Sequence, residues 1–389
     1  MDELLTRGVE EIIPRDELQA ALKAKRKLRL KLGVDPSSPD IHLGHAVVLR
    51  QLKAFQDLGH TVIFLIGDAT ARIGDPSGRN KTRPVLNQDQ INHNAQTYLD
   101  QVSKILDVKK CEIRRNSEWL DELGFTKLVH LAGQFTVAQL VEREDFKNRL
   151  DAGIDLSLHE LLYPVMQAYD SVVLEADVEF GGTDQRFNML AGRALQKKLG
   201  QSPQQVFMSK LLVGSDGVQK MSKSLGNYIG LTDQPNDMYG KVMSIPDELI
   251  AEYYELCTDI DRDVIHELVK TLAAGANPRD AKASLAREIV RIYHGEAEAL
   301  AAEAAFNTQF RDKQRPAVID QFLVTGGDKT VVDILLKADL AASKTEARRL
   351  IAQGGVRVND RVLEPDVNPR LANDDVVQVG KRRYIQVKF

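Results

Sequence analysis

Cysteine is scarce in this 389-residue chain: Cys111 and Cys257 are the only two, and they do not form a Cys-x-x-Cys pair. That speaks against a disulfide framework and against a thiolate zinc site. Long apolar runs are missing as well. Stretches such as "TVIFLIG" fall far short of a membrane span. The opening "MDELLTRGVEEIIPRDEL" is acidic and has no apolar signal core, so the expectation is a cytoplasmic protein without a membrane partner. Neither charge sign dominates, because 52 Lys+Arg face 56 Asp+Glu. A net charge of −4 excludes indiscriminate coating of nucleic acid but leaves room for a local basic face. No internal repeat and no low-complexity segment is present. The length exceeds one hydrophobic core and implies two or three domains.

What is present begins with a strand–helix–strand unit. "LRLKLGV" (28–34) alternates apolar and charged residues with period two, a strand pattern. Val48, Leu49, Leu52, Phe55 and Leu58 recur at helical steps, and Gly59 is placed to end that helix. "TVIFLIGDAT" reads as a buried parallel strand. Such a unit predicts a parallel sheet with crossover helices. Residues 85–165 read mostly as helices. "SVVLEADVEFGG" (171–182) reads as a strand, and the helix after it ends at Gly200. Residues 232–310 carry helical patterning alone. A linker is expected near 311–330, and then a small α+β unit whose second helix starts at Ser343 with Glu346 as its capping-box partner.

Five stretches carry candidate chemistry, each with a plainer alternative. In "HLGH", His42 and His45 share a helical face at a helix start, where free N–H groups suit phosphate, and Gly44 lets a flat ligand approach. Two surface histidines beside an ordinary cap would look the same. No metal site is expected, because a third ligand is not evident. In "QKMSKSLGN", Lys220 and Lys223 could clamp a pyrophosphate in a loop able to close, or they are a solvated basic loop. In "FGGTDQRFN", Gly181 and Gly182 sit where a strand gives way to a helix, and Asp184 could accept from ribose hydroxyls; the alternative is a glycine turn with a cap. In "LLYPVMQAYD", Tyr163, Gln167 and Asp170 form a polar stripe among apolar neighbours, which either meets a polar ligand or closes a network between helices. Pro164 obscures where that helix begins. "GDATARIGDPSGRNKTRP" offers Asp75 for an amino group and Arg79, Lys81 and Arg83 for phosphate, or is a long surface loop.

Taken together, "HLGH" and "KMSKS", in that order on a strand–helix–strand frame, resemble the class I aminoacyl-tRNA synthetases. "IGDPSGR", "MQAYD" and "GGTDQ" narrow the resemblance to the bacterial tyrosyl-tRNA synthetases, along essentially the whole chain. The resemblance implies an α/β fold: a Rossmann-like parallel-sheet catalytic domain over 1–230, with an inserted dimerisation segment at about 110–165. An α-helical anticodon-arm domain over 231–320 and a linker with an α+β RNA-binding domain over 321–389 would follow. It implies that Tyr163, Gln167, Asp170, Asp75 and Thr70 hold tyrosine, Asp170 accepting from the phenol hydroxyl. Asp35, Gly44, Gly182, Asp184, Gln185 and Lys223 would contact ATP or the adenylate. Ser37, His42, His45, Lys220, Lys223, Arg79 and Arg83 would stabilise the transition state at the leaving pyrophosphate. ATP would enter with Mg2+, and no tightly bound cofactor is implied. Partners would be tRNA, L-tyrosine and a second copy of the chain, with no role for DNA.

One position departs from the family pattern. Many bacterial relatives carry a substrate-contacting tyrosine where this chain has Lys31. Charge supports the RNA-binding tail: residues 331–389 carry 11 Lys+Arg and 8 Asp+Glu, a balance of +3 that leaves −7 for the rest. Lys344, Arg348, Arg349 and Arg357 lie on or just after its capped helix and are the RNA-binding candidates, although a solvated basic face would carry the same charge. Two rivals share parts of the pattern. A tryptophanyl-tRNA synthetase shares the frame, but usually lacks the tail and would not call for Tyr163, Gln167 and Asp170. A non-catalytic RNA-binding scaffold would not need His42, His45, Lys220 and Lys223.

Overall fold

The computed structural model describes residues 3–36, 40–75, 87–310, 319–324, 330–365, 367–380 and 383–389. Ser37, Arg79, Lys81 and Arg83 lie outside the described residues. The chain divides into two compact units, 1–303 and 304–389. Among the described residues no helix is long and apolar enough to cross a membrane.

The first unit is built on a six-stranded sheet of β1 (Val9–Ile13), β2 (Arg29–Val34), β3 (Thr61–Ile66), β4 (Glu112–Arg115), β5 (Val178–Gly182) and β6 (Gln205–Ser209), in the order β1-β6-β5-β2-β3-β4. All pairs are parallel except β1 with β6. Three helices matter for the site: α1 (Leu43–Asp57) crosses from β2 to β3, α2 (Leu158–Val173) precedes β5, and α3 (Arg186–Lys198) joins β5 to β6. Apolar side chains cover both faces of the sheet. Phe55 of α1 meets Phe180 and Phe207 edge-on. Ile63 and Leu65 pack in a cluster with Val165, Met166 and Ala168 of α2 and Leu195 of α3. Burial on both sides explains why β3 reads as a continuous apolar run.

Several boundaries differ from the sequence reading. Ser171–Val173 form the last turn of α2, and the strand begins only at Val178. Pro164 does not delay α2, which starts at Leu158, where the Glu160 carboxylate accepts from Ser157 N–H at 2.9 Å. Without an N–H, Pro164 forgoes only the bond to the Glu160 carbonyl. The period-two stretch 28–34 does form strand β2, with Lys31 wholly buried in it. Leu58 caps the end of α1 and is 64% exposed. Strands β1, β4 and β6 carry no pattern that the sequence reading used. Residues 232–310 form helices without a strand, in accord with their patterning.

The second unit holds a five-stranded sheet, β7 (Asp320–Leu323), β8 (Val356–Val358), β9 (Arg361–Val362), β10 (Val376–Val379) and β11 (Arg383–Lys388), in the order β7-β11-β10-β8-β9. β7 falls inside the stretch expected to be linker and pairs parallel with β11. Helices α4 (Val331–Lys337) and α5 (Lys344–Ala352) pack on the sheet through Ile334, Leu335, Ala347 and Ile351. Ser343 caps α5 by accepting from Glu346 N–H at 3.1 Å, and the Glu346 carboxylate reaches back to Ala342 N–H at 2.9 Å.

Candidate active site

Strand order locates the site. From β2 the chain runs to β3 and β4 on one side, while β5 and β6 lie on the other. Ligands of open α/β sheets bind at that switch point, beyond the carboxyl ends of the strands. The β2–β5 ladder is two pairs long, Leu30↔Val178 and Lys31↔Glu179. Past it, Leu32–Asp35 and Phe180–Gly182 line a cavity of about 580 Å³. Every described residue singled out in the catalytic part of the sequence lines this one cavity.

At one end sit the histidines. His42 N–H donates to His45 Nδ1 at 3.3 Å, which places the His45 proton on Nε2. The two rings are 3.9 Å apart. His42 is buried, and its Nδ1 has no hydrogen-bond partner among the described residues. Burial lowers the His42 pKa to about 2, with His45, Lys223 and Lys220 adding to it. Burial also lowers His45 to about 4, opposed by Asp184 and reinforced by Lys223 and Lys220. Both rings are therefore neutral near pH 7, and they can offer directed N–H donors but no positive charge. A Cβ at Gly44 would lie 3.0 Å from the His42 ring, so glycine makes room for that ring as well as for a ligand.

The loop brings positive charge to the cavity. Lys220 Nζ pairs with Asp184 Oδ2 at 2.8 Å, and Lys223 pairs with Asp40. These pairs are partly exposed, and ion pairs of that kind contribute little, so an arriving polyphosphate can exchange with them. The loop is anchored by buried Met221 and by Asn227, whose Oδ1 accepts from Ser222 N–H at 2.8 Å. The backbone of His42 bridges to Gly230 just beyond the loop. The two motifs are thereby tied together.

The other end is a closed hydrogen-bond network. Tyr163 Oη donates to Asp35 Oδ2 at 2.9 Å, and Thr70 Oγ1 donates to Asp35 Oδ1 at 2.8 Å. Asn116 Nδ2 donates to Thr70 Oγ1 at 2.9 Å and to Asp170 Oδ2 at 3.2 Å. Trp119 Nε1 donates to Asp170 Oδ1 at 2.8 Å. Tyr163 and Asp35, expected to serve different parts of the substrate, are thus bonded to each other. Asp170 is 2% exposed. Burial raises its pKa to about 6, opposed first by the charge of Lys31 and then by the Trp119 and Asn116 hydrogen bonds, so it is ionised at neutral pH. Asp75 accepts from Gln185 Nε2 at 2.8 Å and lies 3.5 Å from Arg143 Nη2.

Sequence reasoning missed Asn116, Trp119, Glu179, Arg143 and Asp40. Two of them left a legible trace. Trp119 is the only tryptophan in the chain, and Glu179 is a carboxylate in an otherwise apolar strand segment. The RNA-binding candidates belong to the second unit. Lys344, Arg348 and Arg349 on α5 and Arg357 on β8 are all exposed. Lys344 and Arg349 make ion pairs at 3.5 and 3.6 Å with Asp333 and Glu346.

Comparison with known proteins follows the same division. Residues 23–311 match the family described as tRNA synthetases class I (W and Y), and residues 331–376 match the S4 domain. The chain is 50% identical over 389 residues to tyrosine–tRNA ligase 2 of Clostridium acetobutylicum, covering 99% of this chain and 97% of the relative. It is 49% identical over 387 residues to tyrosine–tRNA ligase of Thermotoga maritima, covering 99% and 96%. Among solved structures, a C-terminally truncated mitochondrial tyrosyl-tRNA synthetase of Aspergillus nidulans superposes with a TM-score of 0.67 at 23% identity, over 79% of this chain and 93% of that one. Tyrosyl-tRNA synthetase of Archaeoglobus fulgidus, solved with L-tyrosine, gives 0.62 at 24% identity, over 77% and 98%. At these identities the two structures support the fold alone.

Proposed function

The chain belongs to the class I tRNA synthetases of the tryptophan and tyrosine branch, and from that premise we propose how its cleft divides the work. Its activity is tyrosine–tRNA ligation. The carboxylate of L-tyrosine attacks the α-phosphate of ATP in line, pyrophosphate leaves, and the tyrosyl group then passes to the 3′-terminal adenosine of tRNA. In this reading Asp75 and Tyr163 take the substrate ammonium, with Gln167 and Thr70 in the same pocket, and Asp170 takes the phenol hydroxyl. Asp35, Gly182, Asp184 and Gln185 serve the adenylate. His42 and His45 donate neutral N–H groups to phosphate oxygens, and Lys220 and Lys223 supply the charge, with Ser37, Arg79 and Arg83 joining at the pyrophosphate. Magnesium would arrive on the triphosphate, whose oxygens would be its ligands. Catalysis then rests on positioning and electrostatics. The observation that carries the reading is that both motifs and the buried Asp170 network line one cavity. The test is amino-acid-dependent exchange of labelled pyrophosphate into ATP. Exchange with tyrosine and not with tryptophan or phenylalanine is expected. Exchange with tryptophan instead would overturn the assignment, and no exchange at all would favour an RNA-binding scaffold.

The tail would grip tRNA through α5, where the weak, exposed ion pairs of Lys344 and Arg349 leave both cations able to meet phosphate. A cytoplasmic location suits this chemistry. A homodimer is supported by apolar side chains left in solvent on the segment between β4 and β5: Phe125 is 81% exposed, Val137 64% and Leu158 76%. Large exposed apolar side chains gathered on one segment mark association surfaces. Replacing both Phe125 and Leu158 with aspartate is expected to convert a dimer to a monomer in sedimentation. An unchanged mass would place the dimer contact elsewhere, or remove it.

A further inference from the structure

Where β2 and β5 part, the floor of the cleft is an ion pair. Lys31 is 0% exposed and faces Glu179 across the ladder, with Nζ 2.8 Å from Glu179 Oε1. Lys31 also donates to Ser171 Oγ at 2.8 Å and to the Gln167 carbonyl at 3.1 Å. An ammonium has three N–H donors, and these three acceptors occupy them all. Lys31 therefore has no donor left for a substrate hydroxyl. Glu179 is equally committed. Its Oε1 also accepts from Gln167 Nε2 at 3.1 Å, and its Oε2 accepts from Ser171 Oγ at 3.2 Å and from Gln204 Nε2 at 2.5 Å. The packing is tight enough to require glycine on α3, since a Cβ at Gly192 would lie 2.7 Å from Gln204 Nε2 and 3.0 Å from Ser171 Oγ.

Burying such a pair is costly, and replacing it with apolar residues is often neutral or stabilising. Its place in the fold points to what it does. Gln167 has its Nε2 committed to Glu179, which leaves Oε1 as the atom of that amide able to accept. One helical turn on, Asp170 has two oxygens holding one donor each, Trp119 and Asn116. A carboxylate can accept about four hydrogen bonds, so Asp170 keeps capacity for a hydroxyl. The charged groups facing Asp170 are Lys31 from β2 and Glu179 from β5; Asp35 lies beyond Asn116 and Thr70.

We infer that Lys31 and Glu179 are positioning residues for tyrosine specificity: the pair holds Gln167 by its carbonyl and by its amide nitrogen and Ser171 by its hydroxyl, the two α2 residues that flank Asp170, and Asp170 reads the phenol hydroxyl without help from Lys31 itself. This rests on the tyrosine-pocket reading given above. The two partners act on Asp170 with opposite sign, since Lys31 favours its ionised form and Glu179 opposes it.

That opposition supplies the test. Tyrosine-dependent pyrophosphate exchange is followed from pH 5 to 8 in the full chain, with Lys31→Met, Glu179→Gln and the double variant. The acid limb of kcat/KM is expected to move up in Lys31→Met by about one pH unit, which is roughly tenfold less activity below the limb. It is expected to move down in Glu179→Gln. In the double variant it lies above the wild type, because Lys31 is the stronger influence. The preference for tyrosine over phenylalanine falls with the rising limb. If Lys31→Met does not fold, the neutral double variant and Glu179→Gln still give limbs on opposite sides of the wild type. Shifts of the same sign, or no shift in folded variants, overturn the inference. Asp170→Asn separates the levels. If it keeps the preference for tyrosine, the pocket reading fails and the inference with it. If it loses the preference while the limbs stay fixed, only the inference about Lys31 fails.

Discussion

Replacing Lys220 and Lys223 together with alanine is expected to slow formation of the tyrosyl adenylate roughly 10⁴-fold, on the scale of 10² to 10³ for each group aimed at developing charge. The histidines cannot compensate. Burial is the largest influence on both rings and keeps them neutral, so they cannot supply the cationic charge that Lys220 and Lys223 bring to a leaving pyrophosphate. The loss should exceed the removal of two charges from solvent. Asp184 and Asp40, now paired with the lysines, would face the triphosphate unneutralised. The KM for tyrosine should change little, because Asp170 and its network occupy the other end of the cavity. Binding of tRNA should stay within about twofold, as expected for sites that share no partner. A single-turnover burst of adenylate, measured beside filter binding of tRNA, checks all three. An unaltered burst would remove the loop from catalysis, and a parallel loss of tRNA binding would mean that it acts by folding.

The parts of this fold that were legible in the sequence are those where one physical signal acted alone. The α1 helix shows its period, and β3 shows continuous burial. The Ser343 cap fixes the start of α5, because capping is decided by residues four apart or fewer. Misreadings arose where tertiary packing overrode a local preference. "SVVL" is rich in β-branched residues and reads as a strand, yet Ser171–Val173 close α2 because Ser171 meets the buried pair and Gln196 Nε2 donates to its carbonyl. Lys31 is the sharper case. The alternation marks the strand but not the environment of its lysine, whose burial is tolerable only because a carboxylate from a strand far along the chain faces it. The opposing charges were both visible, Lys31 in the alternating stretch 28–34 and Glu179 in the stretch 178–182. Their adjacency was not, since it depends on β5 inserting beside β2. The candidate site divides the same way. Motif residues could be named because their spacing within a helix or loop carries meaning. Asn116, Trp119 and Arg143 could not, because each acts only by what the fold brings opposite it.

Asp170→Asn is expected to lower kcat/KM for tyrosine by roughly 10²-fold, the scale of one hydrogen bond to a charged acceptor. Activity toward phenylalanine should be unchanged or better. The asymmetry follows from the network. Asparagine keeps one oxygen, which can still accept from Trp119 Nε1, but its amide nitrogen would meet Asn116 Nδ2, a donor against a donor. Asn116 can turn its oxygen toward the new amide only by withdrawing it from Ala69 N–H, which keeps Asp68 Oδ1 as an acceptor, and by withdrawing its amide nitrogen from Thr70, which still donates to Asp35. Thr70 does not need that bond to keep its own donor satisfied, so the fold should survive the exchange. The hydroxyl of tyrosine loses its charged acceptor, whereas phenylalanine brings no hydroxyl and loses nothing. It also no longer leaves a buried carboxylate short of a partner, which is the penalty that excludes it from the native pocket. Parallel exchange assays with the two amino acids at neutral pH read the ratio directly. Equal losses for tyrosine and phenylalanine would mean that Asp170 shapes the pocket without reading the hydroxyl.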